Sequence, residues 1–279
     1  MRIPVRRIPR PPRPGLPLRS VAPNAVTALA LCFGLSGVRF GIAARWELAV
    51  TMVLVAGVLD GIDGRIARML HGESRFGAEL DSLSDAISFG VAPALILYLW
   101  SLVTMPGLGW MCSLMLAVFC ALRLARFNAN IDTSEQPHKS AGFLTGVPAP
   151  TAAGLAMLPM FLWNATGEPL LRSPYLVAPW VALVALLMVS SVPTYSWGSM
   201  RLRRTIRFEA LAAVVILGAA LVSAPWMTLS VISFVYIATM PFSTVGYARV
   251  RRLRAMQAAT ALGKTSGVRR SDVLPGQAG

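Results

Sequence analysis

A chain of 279 residues that is 55% hydrophobic and only 14% charged, with a mean hydropathy of +0.61, is too apolar for a water-soluble domain. Its formal charge of +14 raises nucleic acid as a partner. However, the basic residues sit in the tails and in the gaps between apolar runs, as in a membrane protein obeying the positive-inside rule, and no nucleic-acid partner is expected. Cys32, Cys112 and Cys120 lie in apolar runs with no C-x-x-C spacing and read as buried small hydrophobes.

Residues 1–20 hold six arginines, six prolines and no acid. The prolines exclude a long helix. The stretch reads as a basic arm on an anionic cytoplasmic leaflet, worth about 1 kcal/mol per arginine near the surface. Eight spans are then predicted at about 23–43, 47–69, 78–102, 107–127, 149–165, 174–194, 208–224 and 227–247. Pro148, Pro150 and Thr151 mark a broken start to the fifth, and a short corner, Ser223 to Trp226, separates the last two. With both tails on one side, that side takes the N-terminal arm, the 65–75 and 123–139 loops, the Arg201–Arg204 cluster and the tail after Arg249. The other side keeps Arg39, Arg45 and Arg172, 3 of 26 basic residues. This asymmetry puts both termini in the cytoplasm. No internal repeat is visible, and the Gly-, Ser- and Arg-rich end from Gly263 is expected to be disordered.

Between the apolar segments Leu48–Leu59 and Ala86–Trp100 lies the stretch from Asp60 to Asp85, which holds six of the 12 acidic residues. Carboxylates near membrane depth are expensive and normally mark a site. Asp60 and Asp63 are three apart, Asp81 and Asp85 four apart, so each pair shares a helical face. A turn near His71, Gly72 and Glu73 lets the pairs face each other. Four converging carboxylates repel unless cations balance them, and all-oxygen ligation favours Mg²⁺, Mn²⁺ or Ca²⁺ over zinc. Gly64 and Ala67 leave room for a phosphate to approach the backbone, and Arg68, one turn on, is suited to bidentate contact with phosphate oxygens. Ser74 offers a hydroxyl, and Gly77 allows the two aspartate helices close contact. Together these residues describe phosphoryl transfer at a membrane face. The plainer alternative is ion pairing of the aspartates with Arg65, Arg68 and Arg75. Glu73 and Glu79 read as solvated loop or pairing residues, and His71 as a loop residue.

The pattern D60-x2-D63-G64-x2-A67-R68-x8-G77-x3-D81-x3-D85 resembles the full signature of the CDP-alcohol phosphotransferase family. The text S-R-F-G-A-E-L-D-S-L-S-D-A-I-S-F-G-V-A-P-A (74–94) is similar to the phosphatidylserine synthase branch. So are P-N (23–24), R-L-A-R-F-N (123–128) and G-V-P-A-P-T-A-A (146–153). The resemblance covers about residues 20–195. It implies an all-α polytopic membrane protein with a six-helix catalytic core and about two further C-terminal transmembrane helices. The expected divisions are an arm at 1–20, the core at 21–195, a basic loop with two helices at 196–247 and a basic tail at 248–279.

The resemblance further implies that Asp60, Asp63 and Asp81 ligate metal, Mg²⁺ or Mn²⁺, with two ions per site. Asp85 would complete the site and act as general base. Gly64, Ala67, Arg68, Ser74 and Gly77 would contact the CDP-lipid. It implies a homodimer that transfers the phosphatidyl group of CDP-diacylglycerol to L-serine and releases CMP, in a bacterial cytoplasmic membrane. Serine's carboxylate needs a cation, and Arg123 and Arg126 with Asn128 are the nearest candidates, although interface anchoring explains the arginines equally well. Lys139 is a weaker one. Two other functions compete. The same chemistry on glycerol phosphate or inositol phosphate would want further cations, and Ala86 rather than lysine follows Asp85, unlike the glycerophosphate branch. A cation transporter would spread its acids across bilayer depth and show two related halves.

Overall fold

The computed structural model describes residues 18–70, 72, 74–129, 143–190, 193–195 and 207–240. The basic arm before residue 18, His71, Glu73, Lys139, the Arg201–Arg204 cluster and the tail after residue 240 lie outside the described residues. The chain falls into two compact units, residues 1–96 and 97–279.

In the first unit, α1 (Leu18–Ile42) and α2 (Trp46–Leu70) form a hairpin through a three-residue turn. Arg45 N–H bonds the Phe40 carbonyl at 2.9 Å, Ala44 takes a left-handed conformation (φ 55°), and the Arg45 guanidinium lies 5.6 Å from the Phe40 ring centre. Small side chains set the helix separation. A Cβ on Gly37 would come within 3.0 Å of the Ala49 carbonyl oxygen, and Ala49, Val50, Val53 and Ala56 are buried. Next comes α3 (Arg75–Asp85), opened by Ser74, whose hydroxyl accepts the Gly77 N–H at 3.0 Å. This is a side-chain N-cap. A π-helical turn, Ala86–Val91, joins α3 to α4 (Ala92–Trp100). Both α2 and α3 find their main partner in α1.

In the second unit, α5 (Leu108–Ala129) packs on α8 (Pro174–Val189). Between them in sequence, α6 (Ala149–Ala156) and α7 (Leu158–Thr166) divide at Met157, where Pro159 stands near the new helix start. The expected break in this span therefore falls at Met157 as well as at Pro148, which precedes α6. Trp180 Nε1 donates to the Leu155 carbonyl at 2.8 Å. At the far end of α4, Trp100 stacks edge-on to Trp163, and Arg172 Nε donates to the Trp100 carbonyl at 2.8 Å. A three-residue antiparallel ladder, β1 (Phe143–Thr145) with β2 (Pro193–Tyr195), pairs Leu144 with Thr194 and is the one departure from helix among the described residues. The chain continues as α9 (Arg207–Ser223) and α10 (Pro225–Met240), divided at Ala224 where the corner was expected.

The described residues are all-α apart from that ladder, and the chain is a multi-pass membrane protein. Among the described residues, Val21–Ile42, Arg75–Trp100 and Leu108–Ala129 are long and apolar enough to cross a bilayer, and shorter apolar helices run over Pro174–Val189, Leu211–Ser223 and Pro225–Met240. The second expected span, α2, is not among them, because its C-terminal half carries Asp60, Asp63, Arg65 and Arg68. The cysteines need one correction. Cys120 is buried, Cys112 is half-buried, and Cys32 is exposed on α1 rather than packed inside.

Candidate active site

Asp60 and Asp63 stand on the last turns of α2, and Asp81 and Asp85 on the second half of α3. One carboxylate oxygen from each of Asp60, Asp63 and Asp81 lies within 4.8 Å of the others. The fourth aspartate joins them, since the Asp60 and Asp85 side chains are hydrogen-bond partners. Asp85 Oδ1 is buried and makes no hydrogen bond. Among the described residues no ion pair joins these aspartates to Arg65, Arg68 or Arg75, so the plainer reading as a salt-bridge cluster finds no support. An all-oxygen cluster with a buried, unsatisfied oxygen fits a hard divalent cation.

Both aspartate helices are braced by α1. Thr27, on α1 and buried, donates its hydroxyl to Asp63 Oδ2 at 2.6 Å. Its backbone carbonyl accepts Ser84 Oγ from α3 at 3.3 Å. The sequence reading missed Thr27. Its one visible signal was its position three residues after Asn24, on the same face of a mostly apolar helix.

A recess of about 150 Å³ opens here, lined by Pro23, Asn24, Thr27, Asp63, Gly64, Ala67, Gly72, Gly77, Ala78 and Asp81. Gly64 faces open space, with nothing within 4 Å of the place a Cβ would take. Gly77 works differently from expectation. A Cβ there would meet Asn24 Oδ1 at 2.8 Å, so this glycine lets α3 close on α1 rather than on α2. Ser74 caps α3, as described. Arg68 is exposed and absent from the recess lining, and its Nε donates back along α2 to the Gly64 carbonyl at 2.9 Å. Glu79 is exposed, as a solvated residue should be.

Arg123, Arg126 and Asn128 belong to the second unit, on the last turns of α5. There Arg126 Nη1 donates to the Val189 carbonyl at the end of α8 at 3.3 Å. That contact gives this arginine a structural task of its own.

The description "CDP-alcohol phosphatidyltransferase" belongs to the family model that matches residues 20–197. The chain belongs to the CDP-alcohol phosphatidyltransferase family. A second model, described as CDP-alcohol phosphatidyltransferase 2, matches residues 206–241, the stretch that holds α9 and α10. Curated relatives agree with the family. The CDP-diacylglycerol–serine O-phosphatidyltransferase of Mycobacterium tuberculosis (strain ATCC 25618 / H37Rv) is 37% identical over 223 residues, 80% of this chain and 78% of the relative. Proteins of the same name from Helicobacter pylori (strain ATCC 700392 / 26695) and Bacillus subtilis (strain 168) are 35% identical over 170 residues and 34% identical over 144. The first alignment covers 61% of this chain and 70% of the relative, the second 52% and 72%. The first family match spans α1 to α8, so every residue of the aspartate cluster lies inside it. Members of this phosphatidyltransferase family use divalent metals, and the cluster of Asp60, Asp63 and Asp81 has the composition to hold one.

Proposed function

We propose that this family member transfers the phosphatidyl group of CDP-diacylglycerol to the hydroxyl of L-serine, giving phosphatidylserine and CMP. The observation that carries the chemistry is the convergence of Asp60, Asp63 and Asp81 oxygens within 4.8 Å, beside Asp85 and a recess lined by Gly64 and Ala67. The choice of serine draws on relatives that carry that name over 78% of their length.

Asp60, Asp63, Asp81 and Asp85 would hold Mg²⁺ or Mn²⁺, two ions per site. Such a cation polarises a phosphoryl group and offsets charge on a leaving phosphate. The chain's own groups do the rest. The open faces of Gly64 and Ala67 admit the diphosphate to the backbone of α2, and Arg68 supplies planar N–H donors at the rim. Gly77 lines the same recess, and Ser74 caps the helix that carries it; both would meet the CDP-lipid. Asp85 accepts the proton of the serine hydroxyl. The serine oxygen then bonds to the lipid-side phosphorus while that phosphorus parts from the bridging oxygen, which leaves with CMP. Arg123 or Arg126, with Asn128, is the proposed partner of the serine carboxylate. The catalytic core is placed at residues 21–195, with 196–247 as a basic loop and two added helices between the terminal arms.

The membrane is proposed to be the bacterial cytoplasmic one, with both termini and the aspartates on the cytoplasmic side, on the strength of the basic-residue asymmetry. The homodimer rests on family resemblance, and cross-linking in membranes tests it.

Purified protein in detergent micelles with CDP-diacylglycerol, Mn²⁺ and labelled serine is expected to release CMP and form labelled phosphatidylserine. Release with glycerol phosphate or inositol phosphate, and none with serine, would replace the acceptor. Asp85→Asn should lower turnover by about 10²- to 10⁴-fold, the usual worth of a general base, and leave the protein folded. Near-normal turnover in that variant removes Asp85 from the role.

A further inference from the structure

Thr27 is 5% exposed and sits on a helix with no acidic residue of its own. Its hydroxyl carries one proton and has two acceptors in range, the Pro23 carbonyl at 3.1 Å and Asp63 Oδ2 at 2.6 Å. A threonine serving only its own helix would bond the carbonyl four residues back. Here the shorter contact is to a carboxylate, and hydrogen bonds to ionised acceptors are both shorter and about twice as strong as neutral ones. The proton therefore belongs to Asp63. Through its carbonyl the same residue holds Ser84, the neighbour of Asp85. One residue of α1 thus touches both helices that carry the aspartates.

We propose that Thr27 is a positioning residue that occupies one oxygen of Asp63, so that Asp63 offers a cation a single oxygen and the site prefers small octahedral ions to Ca²⁺. The inference rests on the reading of the aspartates as a metal site. Its physical basis is the difference between the ions. Ca²⁺ accepts six to eight oxygens and often takes a carboxylate through both, whereas Mg²⁺ demands near-ideal octahedral geometry from single oxygens. With Oδ2 committed to a buried hydroxyl, two-oxygen ligation by Asp63 costs a hydrogen bond. Partners of this kind typically carry about 10- to 100-fold in metal affinity.

The test uses the full chain, purified in detergent, with free Mn²⁺ followed by electron paramagnetic resonance and Ca²⁺ as competitor. Asp63→Asn is the control for the site itself. Thr27→Val keeps the shape and removes the donor, and Thr27→Ser keeps the donor. The expected result is Mn²⁺ binding by the unaltered chain and its near loss in Asp63→Asn. Thr27→Val should bind Mn²⁺ about 10- to 100-fold more weakly, with a smaller Mn²⁺/Ca²⁺ preference, and Thr27→Ser should stay close to the unaltered chain. No Mn²⁺ binding by the unaltered chain, or binding indifferent to Asp63→Asn, overturns the metal reading. An unchanged affinity and ion preference in Thr27→Val, with the metal reading intact, overturns the role of Thr27 alone. Equal loss of both ions in the valine and serine variants assigns Thr27 to packing and also overturns it. If Thr27→Val does not fold, Thr27→Ala takes its place, with the same outcomes.

Discussion

At the residue scale, the family's small residues separate into two kinds. Gly64 is open on its outer side and its Cα hydrogen borders the recess, so Gly64→Ala is expected to leave stability nearly unchanged and to block the diphosphate. Gly77 is pressed against Asn24, whose Oδ1 would lie 2.8 Å from an added Cβ. That neighbour is the end of a flexible side chain, so in Gly77→Ala it can turn away. The expected outcome is a small change in melting temperature and a roughly tenfold rise in KM for CDP-diacylglycerol, worth about 1.4 kcal/mol. Steady-state kinetics beside a thermal melt separates the two effects. The four aspartates were legible from spacing alone, because three- and four-residue separations fix a shared helical face. Thr27 was not, since a hydroxyl bonded across 36 positions leaves no local periodicity.

At the element scale, the break between α3 and α4 is the informative one. The π-helical turn Ala86–Val91 follows Asp85 directly, and its Ser88 lies against α1 at Gly34. Single π turns in otherwise α-helical segments often sit at functional sites. A Cβ on Gly34 would approach Ser88 Cα at 2.9 Å, a backbone atom that cannot swing aside. Gly34→Ala should therefore force α1 from the turn and cost about 1–3 kcal/mol, the usual range for overpacking. Faster thermal inactivation in detergent is the readout, with loss of transfer activity at the same temperature. Helix positions were readable to within a few residues, since long apolar runs and prolines are local features. The role of α1 as the common packing partner of the acidic helices was not, because packing partners far apart in the chain leave no local pattern.

At the scale of the whole molecule, charge and hydropathy were enough to recognise a polytopic membrane protein, and the sparing of one side by arginine sets its proposed orientation. Arg45, in the α1–α2 turn, is assigned to that spared side. A single-cysteine chain carrying Arg45→Cys should react with a membrane-impermeant thiol reagent in intact cells, and one carrying Arg75→Cys only after lysis. The reverse pattern would invert the protein. What composition does not reveal is the cost of assembly set by α2. A helix ending in Asp60, Asp63, Arg65 and Arg68 partitions poorly into lipid by itself. Its three-residue turn to α1 and their shared interface of small side chains let the two enter as one preassembled pair during synthesis. The polar end of α2 would then wait at the water boundary until α3 emerges to meet it, so that the acidic centre is completed only after roughly a third of the polypeptide has been made.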